Sequence, residues 1–140
     1  MAGNIQLEIV TPEAVVLSEE VQIVASPGTQ GEFGVLIGHT PFMTTLNAGP
    51  VRYKDADGAE RYIFVSGGFA EALPDKVTIL AESAEKQRDI DIDRANAALE
   101  RAQQRLAEDR GREDIDFTRA KAALERAMQR IKLAKLSGSQ

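Results

Sequence analysis

The chemistry this sequence offers is concentrated in four short segments. Ile90-Asp91-Ile92-Asp93-Arg94-Ala95 sets a carboxylate and a guanidinium three residues apart where a helical pattern begins. Asp91 there serves as a helix cap, accepting from free backbone N–H groups, with Arg94 a solvated first-turn residue. The alternative use of the same ground is an anion site, because a helix N-terminus presents free N–H groups and a positive dipole end. Arg94 then adds a fork for phosphate, and Asp91 suits a base amino group or a ribose hydroxyl. Arg126 and Arg130 lie one turn apart on a second helical pattern. Like charges at that spacing repel, so they are either a solvated face or a site for a shared anion, a phosphate or an acidic helix. Gly31-Glu32-Phe33-Gly34-Val35-Leu36-Ile37-Gly38-His39-Thr40-Pro41-Phe42 turns tightly around an apolar run. It reads as a folded β loop with His39 bonded to backbone, or as a protruding contact loop on which Glu32 and His39 offer charge and hydrogen bonds to a partner. Ser66-Gly67-Gly68-Phe69-Ala70-Glu71 reads as a bulge or tight corner after a buried strand.

Most other chemistry is excluded. The chain has one histidine, His39, and no cysteine, which removes disulfides and thiolate metal sites. No serine stands in a nucleophile-elbow sequence and no Walker-type phosphate loop occurs. Asp89, Asp91 and Asp93 alternate without the glycine and distal glutamate of a calcium loop. The chain is therefore expected to be non-catalytic, with no metal and no required cofactor. A formal net charge of -5 in 140 residues argues against nucleic acid. The N-terminus lacks the regions of a secretory signal. No apolar run approaches the roughly 18–20 residues that span a bilayer, so no direct membrane insertion is expected.

Two halves with different hydrophobic periods must position these segments. Ile5, Leu7 and Ile9 alternate with polar neighbours, as do Val21, Ile23 and Ala25, and Val77, Ile79 and Ala81. Such alternation is the mark of strands with one face inward. Tyr62-Ile63-Phe64-Val65 is a denser run, expected of a more buried strand. Asp57-Gly58 between Val51-Arg52-Tyr53 and Arg61-Tyr62-Ile63-Phe64 predicts a two-residue hairpin turn. Short strands with frequent turns and no helical pattern predict an N-terminal antiparallel β sandwich or barrel.

After Ala81 the period changes. Ile92, Ala95, Leu99, Ala102 and Leu106 step by three and four, and Phe117, Ala120, Leu124, Ala127, Ile131 and Ala134 repeat the stepping. Gly111 breaks the pattern, and Asp91 and Asp114 or Asp116 are N-cap candidates. The expectation is a C-terminal antiparallel two-helix hairpin, giving a β domain over 1–84, a linker over 85–90 and the hairpin over 91–140. Alanine-rich seams bring helices close but bury little area. At about 0.8 kcal/mol per buried methylene the seam contributes a few kcal/mol net. A ligand with a differential affinity of roughly 3–5 kcal/mol would switch such a hairpin between open and closed.

Taken together, these segments resemble the epsilon subunit of the bacterial rotary ATP synthase. The resemblance spans essentially the whole chain. It rests on Gly31-Glu32-Phe33-Gly34 to Gly38-His39-Thr40-Pro41, on Ser66-Gly67-Gly68-Phe69, and on Val77-Thr78-Ile79-Leu80-Ala81 running into the helices. Ile37 departs from it, standing where many relatives carry proline. The resemblance implies a rotor subunit on the cytoplasmic face of the cell inner membrane, peripheral, whose β domain binds gamma and touches the ring of c subunits. It makes Glu32 and His39 the candidate rotor contact. It implies a hairpin that lies folded on the β domain or extends into the catalytic head and brakes ATP hydrolysis. Arg126, Arg130, Lys132 and Lys135 would then face acidic segments of the alpha and beta subunits. Some such proteins bind ATP through an Ile/Leu-Asp-x-x-Arg-Ala motif, matched here by Ile90, Asp91, Arg94 and Ala95, with Glu85, Arg126 and Arg130 at accessory positions. ATP is thus the candidate regulatory ligand. Deletion beyond about Ala84 is expected to leave the β domain able to assemble while relieving the brake. A free-standing ATP sensor and a β-sandwich adaptor are the competing readings, the first predicting nucleotide binding without partners and the second partners without nucleotide dependence.

Overall fold

A computed structural model of the chain describes residues 3–108 and 115–136. Seven strands come first: β1 (Ile5–Val10), β2 (Val15–Gly28), β3 (Gly31–Val35), β4 (Phe42–Asp55), β5 (Glu60–Ala72), β6 (Lys76–Ala81) and β7 (Ala84–Lys86). A 3-10 turn (Gln87–Asp89) leads into α1 (Ile92–Glu108), and α2 (Ile115–Ala134) follows. The β domain followed by two helices is the architecture the two periods predict.

The strands run in the order β1-β6-β5-β4-β2-β3, and β1 also pairs with β2, so the sheet closes on itself. Closure removes most free edges. Every pairing is antiparallel except β1 with β6. That parallel pair departs from the fully antiparallel expectation. β1 fits there because Ile5, Leu7 and Ile9 all point inward and are fully buried, level with Val77 and Ile79 across the pair. The core is aliphatic, with Val21, Val24, Val35, Val51, Ile63 and Val65 filling the interior. β2, β4 and β5 are long, and the β2–β4 register slips between Val21 and Ile23 and again between Ala25 and Gly28. Such irregularities bend a strand without ending it, so long strands stand where the sequence predicts short ones. Gly67 and Gly68 lie inside β5 with φ of 109° and 144°. They form a corner through which the strand continues.

The β4–β5 connection corrects one expectation. Gly58 N–H donates to the Asp55 carbonyl at 2.9 Å and Asp55 N–H to the Ala59 carbonyl at 2.9 Å, so the turn is Asp55-Ala56-Asp57-Gly58. It is longer than the two-residue Asp57-Gly58 loop. The Asp55 carboxylate decides this, accepting from the N–H groups of Asp57 (3.0 Å) and Ala59 (2.9 Å) while Gly58 takes a φ of 86°. The Ala59 hydrogen bond, with help from Arg61, holds the Asp55 carboxyl below the usual carboxylate range. A depressed folded-state value means the stabilisation is present above the unfolded value and is lost as pH falls through the folded one. Asp55→Asn should therefore flatten the acid limb of the stability curve below about pH 4, read by thermal melts between pH 2 and 6. Parallel acid limbs in the two proteins would contradict it.

Helix periodicity survives in the burial pattern. Ala95 and Ala102 of α1 and Ala120 and Ala127 of α2 are buried in the seam, while the larger Leu99, Leu106 and Leu124 are half-buried. Gly111 and Asp114 lie outside the described residues, and Asp116 is the second residue of α2, inside the helix.

Candidate functional site

The hairpin meets the barrel through α2, which packs on β4 and β5. Phe64 explains why. It sits between Ile63 and Val65, which enter the barrel interior, yet Phe64 is fully buried without joining that cluster. Strand alternation sends it to the outer face. There the Arg130 guanidinium carbon lies 4.5 Å from its ring centroid. Arg130 Nε also donates to Glu85 Oε1 at 2.7 Å. Glu85 belongs to β7 and pairs across the ladder with Phe64, so ring, carboxylate and guanidinium form one contact. A charge-assisted, partly buried bond of this kind contributes roughly 1.5–3 kcal/mol, and a desolvated cation–π contact about 1–2 kcal/mol more.

On the hairpin itself, a groove of 230 Å³ runs between the helices, lined by Ala98, Ala102, Ala120 and Ala123 and by four arginines, Arg101, Arg105, Arg126 and Arg130. Small side chains on the floor and guanidinium groups along both walls suit an anion with several oxygens. Small-molecule sites commonly enclose roughly 300–1,000 Å³, so this groove fits a phosphate chain better than a whole nucleotide.

The sequence-derived residues divide accordingly. Arg126 and Arg130 line the groove and Glu85 pairs with one of them. Asp91 accepts the Arg94 backbone N–H at 3.0 Å, a cap bond to the third helical residue. The Arg94 side chain is exposed and Ala95 is buried in the helix seam, neither of them lining the groove. Lys132 and Lys135 are exposed. Arg101 and Arg105 were not singled out from sequence. Spacing of seven and eleven residues from Arg94 puts them on one helix face with it, a signal that was available.

Glu32 and His39 make separate contacts. Glu32, on the edge strand β3, reaches Arg52 at 3.5 Å. His39 Nδ1 lies 2.7 Å from the Thr40 carbonyl oxygen and its ring packs on Phe42, which packs edge-on against Phe33. Exposed Leu36 and Met43 flank this end of the barrel.

A wider cleft, 510 Å³, lies elsewhere, between Tyr53, Tyr62, Glu19, Lys86 and Arg88. Its charges are of both signs, and Asp55 and Arg61 on its wall are already paired at 3.3 Å. The arginine groove, lined by four guanidinium groups of which Arg130 is paired with Glu85, is the better anion site. Among the described residues no group of His, Cys, Asp and Glu could hold a metal ion, and no helix is long and apolar enough to cross a membrane.

Comparison with known proteins matches the barrel and the helices to one family. Residues 4–87 match the family model described as ATP synthase, Delta/Epsilon chain, beta-sandwich domain, and residues 88–135 match its long alpha-helix domain. The ATP synthase epsilon chain of Desulfatibacillum aliphaticivorans is 64% identical over 106 residues, 76% of this chain and 75% of that one. That of Desulforapulum autotrophicum is 61% identical over 108 residues, 77% and 80% of the two chains. Among solved structures, a chain of the Euglena gracilis mitochondrial ATP synthase (OSCP/F1/c-ring) superposes with a TM-score of 0.79 at 25% identity, covering 95% of this chain and 81% of that one. With both family domains matched in order and relatives this similar over most of their length, the chain belongs to the ATP synthase delta/epsilon chain family.

Proposed function

We propose that this chain is a regulatory rotor subunit of a rotary ATP synthase, whose hairpin restrains ATP hydrolysis when it leaves the barrel. As an epsilon chain by family it is a non-catalytic subunit of that complex. The barrel seats on gamma and meets the c-ring at the end carrying Glu32 and His39. The chain is then a peripheral subunit at the cytoplasmic face of the cell inner membrane. Extended, the hairpin carries Arg126, Arg130, Lys132 and Lys135 to acidic segments of the alpha and beta subunits. Folded, it binds the phosphates of ATP along the arginine groove, with Asp91, Arg94 and Ala95 at the first turn of α1 and Glu85 behind Arg130.

The observation that carries this reading is that Arg130 belongs to two contacts at once. It lines the inter-helix groove and also fastens α2 to the barrel through Glu85 and Phe64. A ligand held there has differential affinity for the docked hairpin, which is the requirement for shifting its population. Glu85 already offsets Arg130, and an anion in the groove would offset the repulsion among Arg101, Arg105 and Arg126, so anion binding favours the folded hairpin.

The test is ATPase activity of the assembled complex with the full chain and with a chain ending after residue 90, which keeps β7 and the 3-10 turn. Hydrolysis at low ATP is expected to rise severalfold on truncation, with the difference shrinking as ATP increases. Equal rates at all ATP concentrations would remove the regulatory role and leave the rotor role standing.

A further inference from the structure

The segment joining barrel to hairpin does more than tether it. Glu85 and Gln87 are two residues apart, with Lys86 extended between them, so their side chains leave the backbone on the same side. They meet Arg130 and Leu133, three residues apart on α2 and therefore on one helix face. The first contact is the Glu85–Arg130 pair. In the second, Gln87 Nε2 donates to the Leu133 carbonyl at 2.9 Å. Gln87 is 6% exposed, and Leu133 is itself buried. A buried primary amide is costly unless its groups are bonded, and burial alone would be served by leucine. Leu133 is the next-to-last residue of α2, where the α-helical bonding ends and the chain tightens into a 3-10 turn. Gln87 brings a donor to that end from outside the helix.

We propose that Gln87 is the uncharged pin of a two-point clamp, a positioning residue that sets how long the hairpin stays docked. This rests on the reading of the hairpin as a switch. The two points respond to different things. Arg130 lines the groove, so anions and ionic strength act on its bond to Glu85. The Gln87–Leu133 bond joins two neutral groups and is not screened by salt. The charged point therefore senses ligand, and the neutral one holds a baseline of docking that ligand and salt leave alone.

Amide hydrogen exchange on the full chain tests this, comparing α2 with β5 in wild type, Gln87→Leu and Gln87→Asn. Leucine keeps the apolar bulk without the donor, and asparagine keeps the amide one methylene too short. Both variants should speed α2 exchange about tenfold, equivalent to about 1.4 kcal/mol, at low and high salt alike, with β5 unchanged. Glu85→Gln should speed α2 as well, by a factor that shrinks at high salt. Unchanged α2 exchange in both Gln87 variants, or equal acceleration of α2 and β5, overturns the clamp. Wild-type α2 exchanging as slowly as β5 would remove the switching reading and the clamp together. Wild-type α2 exchanging faster than β5 yet indifferent to Gln87 would remove the clamp alone.

Discussion

Gly68→Ala is expected to destabilise the barrel more than the same substitution at any other glycine among the described residues. Gly68 has a φ of 144°, and a Cβ there would meet the Leu80 carbonyl oxygen well inside van der Waals contact and lie 2.9 Å from Ala81 Cα. The obstacle is the backbone of β6, whose ladder pairs Gly68 with Ala81, so no side-chain rotation relieves it. Conformational strain of roughly 1–3 kcal/mol adds to overpacking of similar size, for about 3–5 kcal/mol in all. For a domain of this size that lowers the melting temperature by roughly 15–30 °C. Gly34→Ala is the control. Its Cβ would meet nothing nearer than the Val24 carbonyl oxygen at 3.9 Å, so it should stay within about 0.5 kcal/mol of wild type. Circular-dichroism melts compare the three proteins. A Gly68→Ala protein melting with wild type would mean that β5 and β6 separate freely at this corner.

Phe64→Ala should release the hairpin and spare the barrel. Truncating a fully buried phenylalanine costs about 3–5 kcal/mol. Here the loss falls on the outer face of β5, because Phe64 packs under Arg130 and stands apart from the interior cluster. The alanine-rich helices bury few large side chains, and a loss of that size exceeds what a docking contact this narrow has to spare. Protection of α2 amides is expected to fall by at least about a hundredfold, the equivalent of roughly 3 kcal/mol, while β1 and β6 keep theirs. In the assembled complex the same variant should hydrolyse ATP more slowly than wild type, since the extended hairpin is the inhibitory one in the proposed function. Retained α2 protection would show that Phe64 does not carry the docking, and a barrel that melts with the hairpin would show that the two are one cooperative unit.

How much of this was legible beforehand follows from which interactions are local. The period of two through Ile5, Leu7 and Ile9 and the period of three and four through Ala95, Leu99 and Ala102 determine strand and helix, because side-chain direction is fixed by backbone geometry one residue at a time. The Asp91 cap was readable for the same reason, as its hydrogen bond reaches only to Arg94. Dense apolar character in Tyr62-Ile63-Phe64-Val65 predicts a more buried strand, but does not say what covers its outer face.

What the sequence determined by itself is therefore the two-part architecture, the strands and helices with their buried faces, and the richness of the hairpin in arginine. What only the tertiary structure decided are the contacts between residues distant along the chain. These are the parallel β1–β6 pair that closes the barrel, the four-residue turn set by the Asp55 carboxylate, the convergence of Arg101 and Arg105 on Arg126 and Arg130, and the fastening of α2 through Glu85, Phe64 and Gln87. Periodicity fixes which way a side chain points from its own element. Which group it meets depends on how two elements are placed relative to each other, and chain closure with core packing sets that only once the whole barrel has formed.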